Sequence, residues 1–186
     1  MSKLNRLARM LPIGFVIGTT LAAAAQDIEK LKERAATGEA VAQYDLALMY
    51  DNGHGVTQDS VQAALWYRKA AENNVAQAQY RLGYDYFLGR GIPQNYAQSS
   101  KWWHKASAQG YAPAEIGLGI SYFAGKGVMA SYETSYFWFD IAASGNLESG
   151  RMKLVVAARD SVGAILSNCG GSGGCSDSGL RERLEF

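Results

Sequence analysis

Apolar residues recur along the chain in two alternating helical stripes. Ala42, Leu46, Ala47 and Tyr50 mark the first, and Ala63, Trp66, Tyr67 and Ala70 mark the second at i, i+3, i+4 and i+7. Each stripe predicts an amphipathic helix. Both return twice more, because residues 39–74, 75–110 and 111–146 lie under one another as three blocks of 36 with no gap. Leu46, Leu82 and Leu118 share a column, as do Tyr50, Tyr86 and Tyr122. Further on, Trp66, Trp102 and Trp138 align, followed by Tyr67, Trp103 and Phe139, then Ala70, Ala106 and Ala142. So many matching columns in constant register make this a repeat protein.

Polar and glycine positions punctuate the stripes at matching places. Between the two helices of each block stands Gly-x-Gly with Val or Ile: Gly53-His54-Gly55-Val56, Gly89-Arg90-Gly91-Ile92 and Gly125-Lys126-Gly127-Val128. A glycine there supplies the left-handed residue that ends a helix. Four residues after the second glycine come Asp59, Asn95 and Ser131, whose side chains suit the N-cap of the next helix. The second helices close near Asn74, Gly110 and Asn146, which tolerate a left-handed backbone. Period and capping agree in every block.

A hairpin of this size cannot bury its own aromatics, so the blocks must stack. The alanine columns let helices approach, and both aromatic columns are expected to fill the spaces between them. The predicted fold is all-α, an α/α superhelical solenoid of helix-turn-helix repeats. Residues 26–38 match only a second helix and read as a half-repeat cap. Residues 147–166 read as a C-terminal capping helix, with Leu154 in the Leu46 column, and residues 167–186 as a Gly/Ser-rich tail.

Composition narrows the function. Eighteen basic and seventeen acidic residues leave a net charge of +1, which argues against a nucleic-acid binder. At the N-terminus, Lys3, Arg6 and Arg9 precede an uncharged, largely apolar run from Met10 to Ala25 that ends in four alanines. Basic head, short apolar run and small residues before a break predict a secretory signal peptide over residues 1–25. An uncleaved membrane anchor is the alternative, although the run is short for a bilayer span. Cleavage after Ala25 would leave a mildly acidic, exported chain, periplasmic or secreted, with no membrane span.

The repeated pattern resembles a known family. Ala42, Leu46, Tyr50, Gly53, Gly55, Val56, Asp59, Ala63, Trp66, Tyr67, Lys69, Ala70 and Ala71 follow the Sel-one-like repeat (SLR), a relative of the tetratricopeptide repeat. Ala78, Leu82, Gly83, Tyr86, Gly89, Gly91, Trp102, Lys105 and Ala106 follow it in the second block. Gly125, Gly127 and Trp138 carry the signature into the third. Ordinary tetratricopeptide repeats lack the Gly-x-Gly loop. The resemblance implies a superhelix whose concave face serves as an interaction scaffold, in a family whose members are often exported bacterial proteins. Some small, signal-bearing members are immunity proteins against secreted toxins. Others, with a cysteine pair in each repeat, are associated with penicillin binding or β-lactamase activity. No repeat here contains a cysteine, which weakens that transfer.

On the first helices, positions opposite the Leu46 stripe are expected to line the concave face. They carry Tyr44 and Leu48, then Tyr80, Tyr84 and Leu88, with Asp45 and Arg81 flanking the strip as charges. Exposed tyrosines are typical of interfaces, so these residues are the candidate site for a protein partner, an envelope protein or a toxin. Burial between adjacent repeats is the competing reading. It is expected to hold for Ile116 and Ile120 and stays open for Tyr44, Tyr80 and Tyr84.

No catalytic, metal or cofactor site is expected. Gly170-Gly171-Ser172-Gly173-Gly174 spells a nucleophile elbow but lacks its strand–turn–helix setting. His54 and His104 are the only histidines, both at polar positions, and the acidic residues form no pair on a shared face. Cys169 and Cys175 enclose five residues, four of them glycine, and a local disulfide in the tail is expected in an oxidising compartment. The reading as a whole is a non-catalytic scaffold or adaptor of the cell envelope. A periplasmic immunity protein and a weak β-lactamase are its alternatives.

Overall fold

A computed structural model describes residues 26–145 and 149–169. The segment read as a signal peptide, Asn146, Cys175 and most of the Gly/Ser-rich tail lie outside those residues. Among the described residues every regular element is a helix: α1 (26–36), α2 (Ala40–Asn52), α3 (Ser60–Glu72), α4 (Ala76–Leu88), α5 (Tyr96–Ser107), α6 (Ala112–Ala124), α7 (Tyr132–Ser144) and α8 (Ser149–Cys169). Each helix from α2 onward packs on the next in sequence, the contact order of a solenoid.

The three hairpins close in the same way. Gly53, Gly89 and Gly125 cap α2, α4 and α6 in the left-handed region, with φ of 71°, 74° and 64°. The N–H of Asp59, Asn95 and Ser131 donates back to the carbonyl of Tyr50, Tyr86 and Tyr122 at 2.9, 2.8 and 3.0 Å. Their side chains accept from the first-turn amides of α3, α5 and α7. The second glycine of the loop has a steric duty as well. A Cβ on Gly91, at φ 70°, would lie 2.0 Å from the Ser60 carbonyl oxygen, and one on Gly127 would lie 2.2 Å from that of Tyr96. Each loop thus rests directly on the first turn of the preceding hairpin's second helix, and only glycine permits the approach.

The core is divided by repeat. Ala70, Ala106 and Ala142 are wholly buried, and Tyr67, Trp103 and Phe139 fill the space beside them. The expectation for the first aromatic column needs correcting. Trp66 and Trp138 are only half-buried, and Trp102 lies at the edge of the core. The Lys69 and Lys105 ammonium groups stand 3.8 and 4.1 Å above the Trp66 and Trp102 rings. These indoles cover the repeat from outside, with a cation on the outer face.

The last helix departs from the repeat register. Leu46, Leu82 and Leu118 are buried, whereas Leu154 is 74% exposed and Val155 and Val162 are buried instead. The inward face has moved on by one position, so the assignment of Leu154 to the buried leucine column is corrected. The helix also runs to Cys169, through residues 167–169 that composition had placed in the tail.

Candidate partner-binding surface

The first helices of the hairpins converge on one side. Tyr44 of α2 stands 5.9 Å, centroid to centroid, from Tyr67 of α3. Tyr80 of α4 lies 5.5 Å from Tyr111, the N-cap residue of α6, and 6.4 Å from Tyr84. Arg81 projects between these rings, against the Tyr44 hydroxyl. Burial pushes the Tyr111 hydroxyl up from its ordinary pKa, and Tyr44 and Tyr80 add to this, while Arg81 and Arg151 of α8 oppose it. Tyr80 is likewise raised by burial and pulled back by Arg81. Residues of α2, α4 and α8 therefore act on one another across the inner surface, which is what superhelical curvature achieves.

The predicted residues divide by depth. Tyr44, Leu48, Tyr80 and Arg81 are half-buried, while Tyr84 and Leu88 are exposed. The floor of the strip is thus partly buried between repeats and its rim is open to solvent. Asp45 is exposed, and its charge acts on Arg34 of α1.

Under the strip lies an ionic network that the sequence concealed. Arg90, the middle residue of the second Gly-x-Gly loop, donates to Asp85 from Nε and Nη2 at 3.0 and 2.9 Å. Its Nη1 pairs with Asp51 of the preceding repeat at 3.1 Å. The Tyr67 hydroxyl donates to Asp51 Oδ2 at 3.1 Å. Both carboxylates are buried and share one guanidinium, a pairing across repeats that the search for acidic pairs on a shared helix face did not cover. They come from different helices, and helix-face spacing cannot reveal such a pair. Burial raises the Asp85 carboxyl to about 6, against the pull of Arg90.

Beyond Arg81 the surface turns apolar. Ile116, Ile120, Phe139, Leu154, Val155 and Ala158 line a cavity of about 250 Å³ between α6 and α8, with Arg151 at its edge. A second of about 230 Å³ continues it past Phe123, Val162 and Ile165. Ile120, expected to be buried between repeats, is 45% exposed along this groove, and Ile116 is half-buried. These two isoleucines stand in the columns of Tyr80 and Tyr84 and share their depth, on the same inner surface.

A second buried column joins consecutive repeats. Gln43 and Gln79 donate from Nε2 to the carbonyls of Ala35 and Ala71 at 3.2 and 3.1 Å, near the end of the preceding helix. They accept in turn from Asn73 and Gln109 at 2.9 and 2.8 Å. In the third repeat Glu115 occupies this column and Gly145 replaces the donor. A carboxylate has no hydrogen to offer, and burial raises its pKa.

Among the described residues no group of three or more His, Cys, Asp or Glu could hold a metal ion. None of their helices is long and apolar enough to cross a membrane. His54 is exposed, whereas His104 packs edge-on to Trp138 at 5.4 Å, more enclosed than its polar column suggested. Sequence reasoning missed Asp51, Asp85, Arg90, Tyr111 and Arg151. The one available signal was arginine between two structural glycines.

The Sel1 repeat matches residues 40–75, 76–111 and 112–147, one residue later than the blocks read from the pattern. Among solved structures, a Sel1 repeat protein from Oxalobacter formigenes is 33% identical with a TM-score of 0.60. The match covers 69% of this chain and 98% of that one. A protective antigen of uropathogenic Escherichia coli displaying an SLR fold is 38% identical with a TM-score of 0.63, over 65% of this chain but only 26% of that protein. Cysteine-rich protein B of Helicobacter pylori, 18% identical with a TM-score of 0.54 over 67% of this chain and 92% of its own, shares the fold. No curated protein matches the chain.

Proposed function

The chain belongs to the Sel1 repeat family, and on that premise we propose that it is an exported, non-catalytic scaffold that binds a protein partner along the inner surface of its solenoid. Sel1 repeats commonly mediate protein–protein interaction and are generally non-catalytic. The observation that carries the proposal is the continuous strip from Tyr44 through Tyr80 and Tyr84 to Ile120 and Leu154. It is aromatic at one end and apolar at the other, and its Leu88, Ile120 and Leu154 are open to solvent. Scattered exposed leucines mean little, but a contiguous apolar groove beside tyrosines is the make-up of an interface core. Export to the bacterial envelope rests on the basic-then-apolar N-terminal pattern, and mass measurement of the protein from the envelope would show loss of residues 1–25.

A photo-crosslinking residue at Leu88 or Leu154 should capture a partner in the envelope fraction, whereas one at Leu65 or Val61 on α3 should not. Capture only from α3 would overturn the reading. A single stoichiometric toxin-like partner would mark an immunity protein, and several envelope proteins an adaptor. Nitrocefin turnover by the purified chain would support the enzymatic alternative.

A further inference from the structure

Two arginines on the inner surface form no direct ion pair among the described residues, although the Asp51 and Asp85 carboxylates, committed to Arg90, lie close enough to act on Arg81. Arg90 is fully engaged by Asp51 and Asp85, and Arg159 by Asp140 and Asp160. Arg81 and Arg151 form no ion pair among the described residues, and Arg81 is half-buried. Around them stand hydroxyls with spare donor capacity. Tyr67 and Tyr86 are engaged by Asp51 and Arg68. Those of Tyr80 and Tyr111 have no hydrogen-bond partner among the described residues, and that of Tyr44 touches only Arg81. A half-buried guanidinium that meets one hydroxyl and no carboxylate directly leaves its fork unfilled, since that fork is shaped for two parallel bonds to a carboxylate. Three helices, α2, α4 and α8, together with the start of α6, supply the pieces, so only the assembled superhelix creates the site.

Resting on the scaffold reading above, we propose that Arg81, backed by Arg151 and the hydroxyls of Tyr44, Tyr80 and Tyr111, receives a side-chain carboxylate of an acidic peptide segment in the partner, whose neighbouring apolar side chain enters the groove between α6 and α8. Charge complementarity identifies the acid, and the groove identifies its neighbour. Arg151 lies on the rim of the 250 Å³ cavity, so the anion site and the apolar site share an edge. That cavity is walled by Ile116, Ile120, Leu154 and Val155 and suits a leucine-sized side chain. A planar carboxylate bearing a single charge matches the open fork of Arg81.

The test uses the full chain and two sets of dye-labelled, end-blocked octapeptides that carry leucines around either one Glu or one Gln, read by fluorescence polarisation. The Glu set should bind roughly tenfold or more tightly than the Gln set, the discrimination expected of a charge-assisted bidentate contact. Arg81→Gln should abolish that difference while helicity by circular dichroism stays intact. Arg151→Gln, on an exposed side chain that folding does not need, should reduce it. Equal binding of the two sets, or binding of neither, would overturn the proposal. So would a site that takes inorganic phosphate and ignores the Glu peptides. Charge-blind binding that Leu154→Asp removes would leave the scaffold reading standing while the carboxylate site falls. Crosslinks confined to α3 would remove both.

Discussion

The junction between the first two repeats and the junction between the second and third use one geometric slot for different chemistry. In both, the residue between the two loop glycines reaches back to the preceding repeat. Arg90 finds Asp51 there and closes an ion pair with Asp85 beneath it. Lys126, one repeat later, finds Phe87 where Asp51 had stood and lies 5.1 Å above its ring and 5.3 Å above that of Tyr96. Ser121 takes the place of Asp85. The superhelix therefore specifies that a long cationic side chain crosses the junction, and leaves its acceptor free. The difference lies in desolvation. The first junction holds buried carboxylates beneath Arg90 that stay compensated only while it is present, whereas the second places its cation over aromatic faces with no carboxylate beneath it.

Removing the two cations should break the comparison most sharply. Arg90→Ala leaves Asp51 and Asp85 buried without their partner and is expected to cost about 3 kcal/mol, the lower part of the range because the guanidinium is partly exposed. Denaturant unfolding monitored by circular dichroism measures it. Acidity should separate the junctions next. Asp85 is raised in the folded chain from 3.8 to about 6, and Glu115 is raised as well. The unfolded chain gives up these protons first, so their contribution is fully present below about pH 4 and is lost as pH rises toward 6. Thermal midpoints across that window should fall, and Asp85→Asn with Glu115→Gln should flatten the profile.

Steric contact between repeats comes third. Trp103 is clasped by glycines on both sides, and a Cβ on Gly83 or Gly117 would lie 2.6 or 2.7 Å from its ring. Its indole N–H also donates to the Tyr80 carbonyl at 3.2 Å, so the ring has little freedom to retreat. Gly117→Ala should cost about 2 kcal/mol by overpacking and redshift the tryptophan emission. The smallest effect belongs to Lys126→Ala, which forfeits a cation–π contact worth about 0.5–1 kcal/mol. A loss as large as that of Arg90→Ala would show the two junctions to be equivalent after all.

The hairpins were legible because their information is local. Gly53, Gly89 and Gly125, the caps at Asp59, Asn95 and Ser131, and the alanine column act within a few residues of themselves, and repetition showed each of them three times. The proposed binding surface was half legible. Positions opposite the Leu46 stripe follow from helical period alone, so Tyr44, Tyr80, Arg81 and Tyr84 could be named from the sequence. Their depth could not, because it depends on how far each helix turns against the next. Nor could the Leu154 side of the groove be seen, since the exposure of Leu154 arises from a one-position shift of α8 that no repeat column predicts.

By itself the amino-acid sequence determined a helical repeat, its loop geometry, its family and the side on which a partner is expected. Tertiary structure alone decided which charges are spent and which remain. Asp51 and Arg90 are far apart in the chain, and only stacking brings them within 3.1 Å. The same stacking commits both nearby carboxylates to Arg90 and leaves Arg81 without a direct ion pair among its tyrosines. Pairing of charges is a property of distances between repeats, whereas period and capping are properties of distances along the chain.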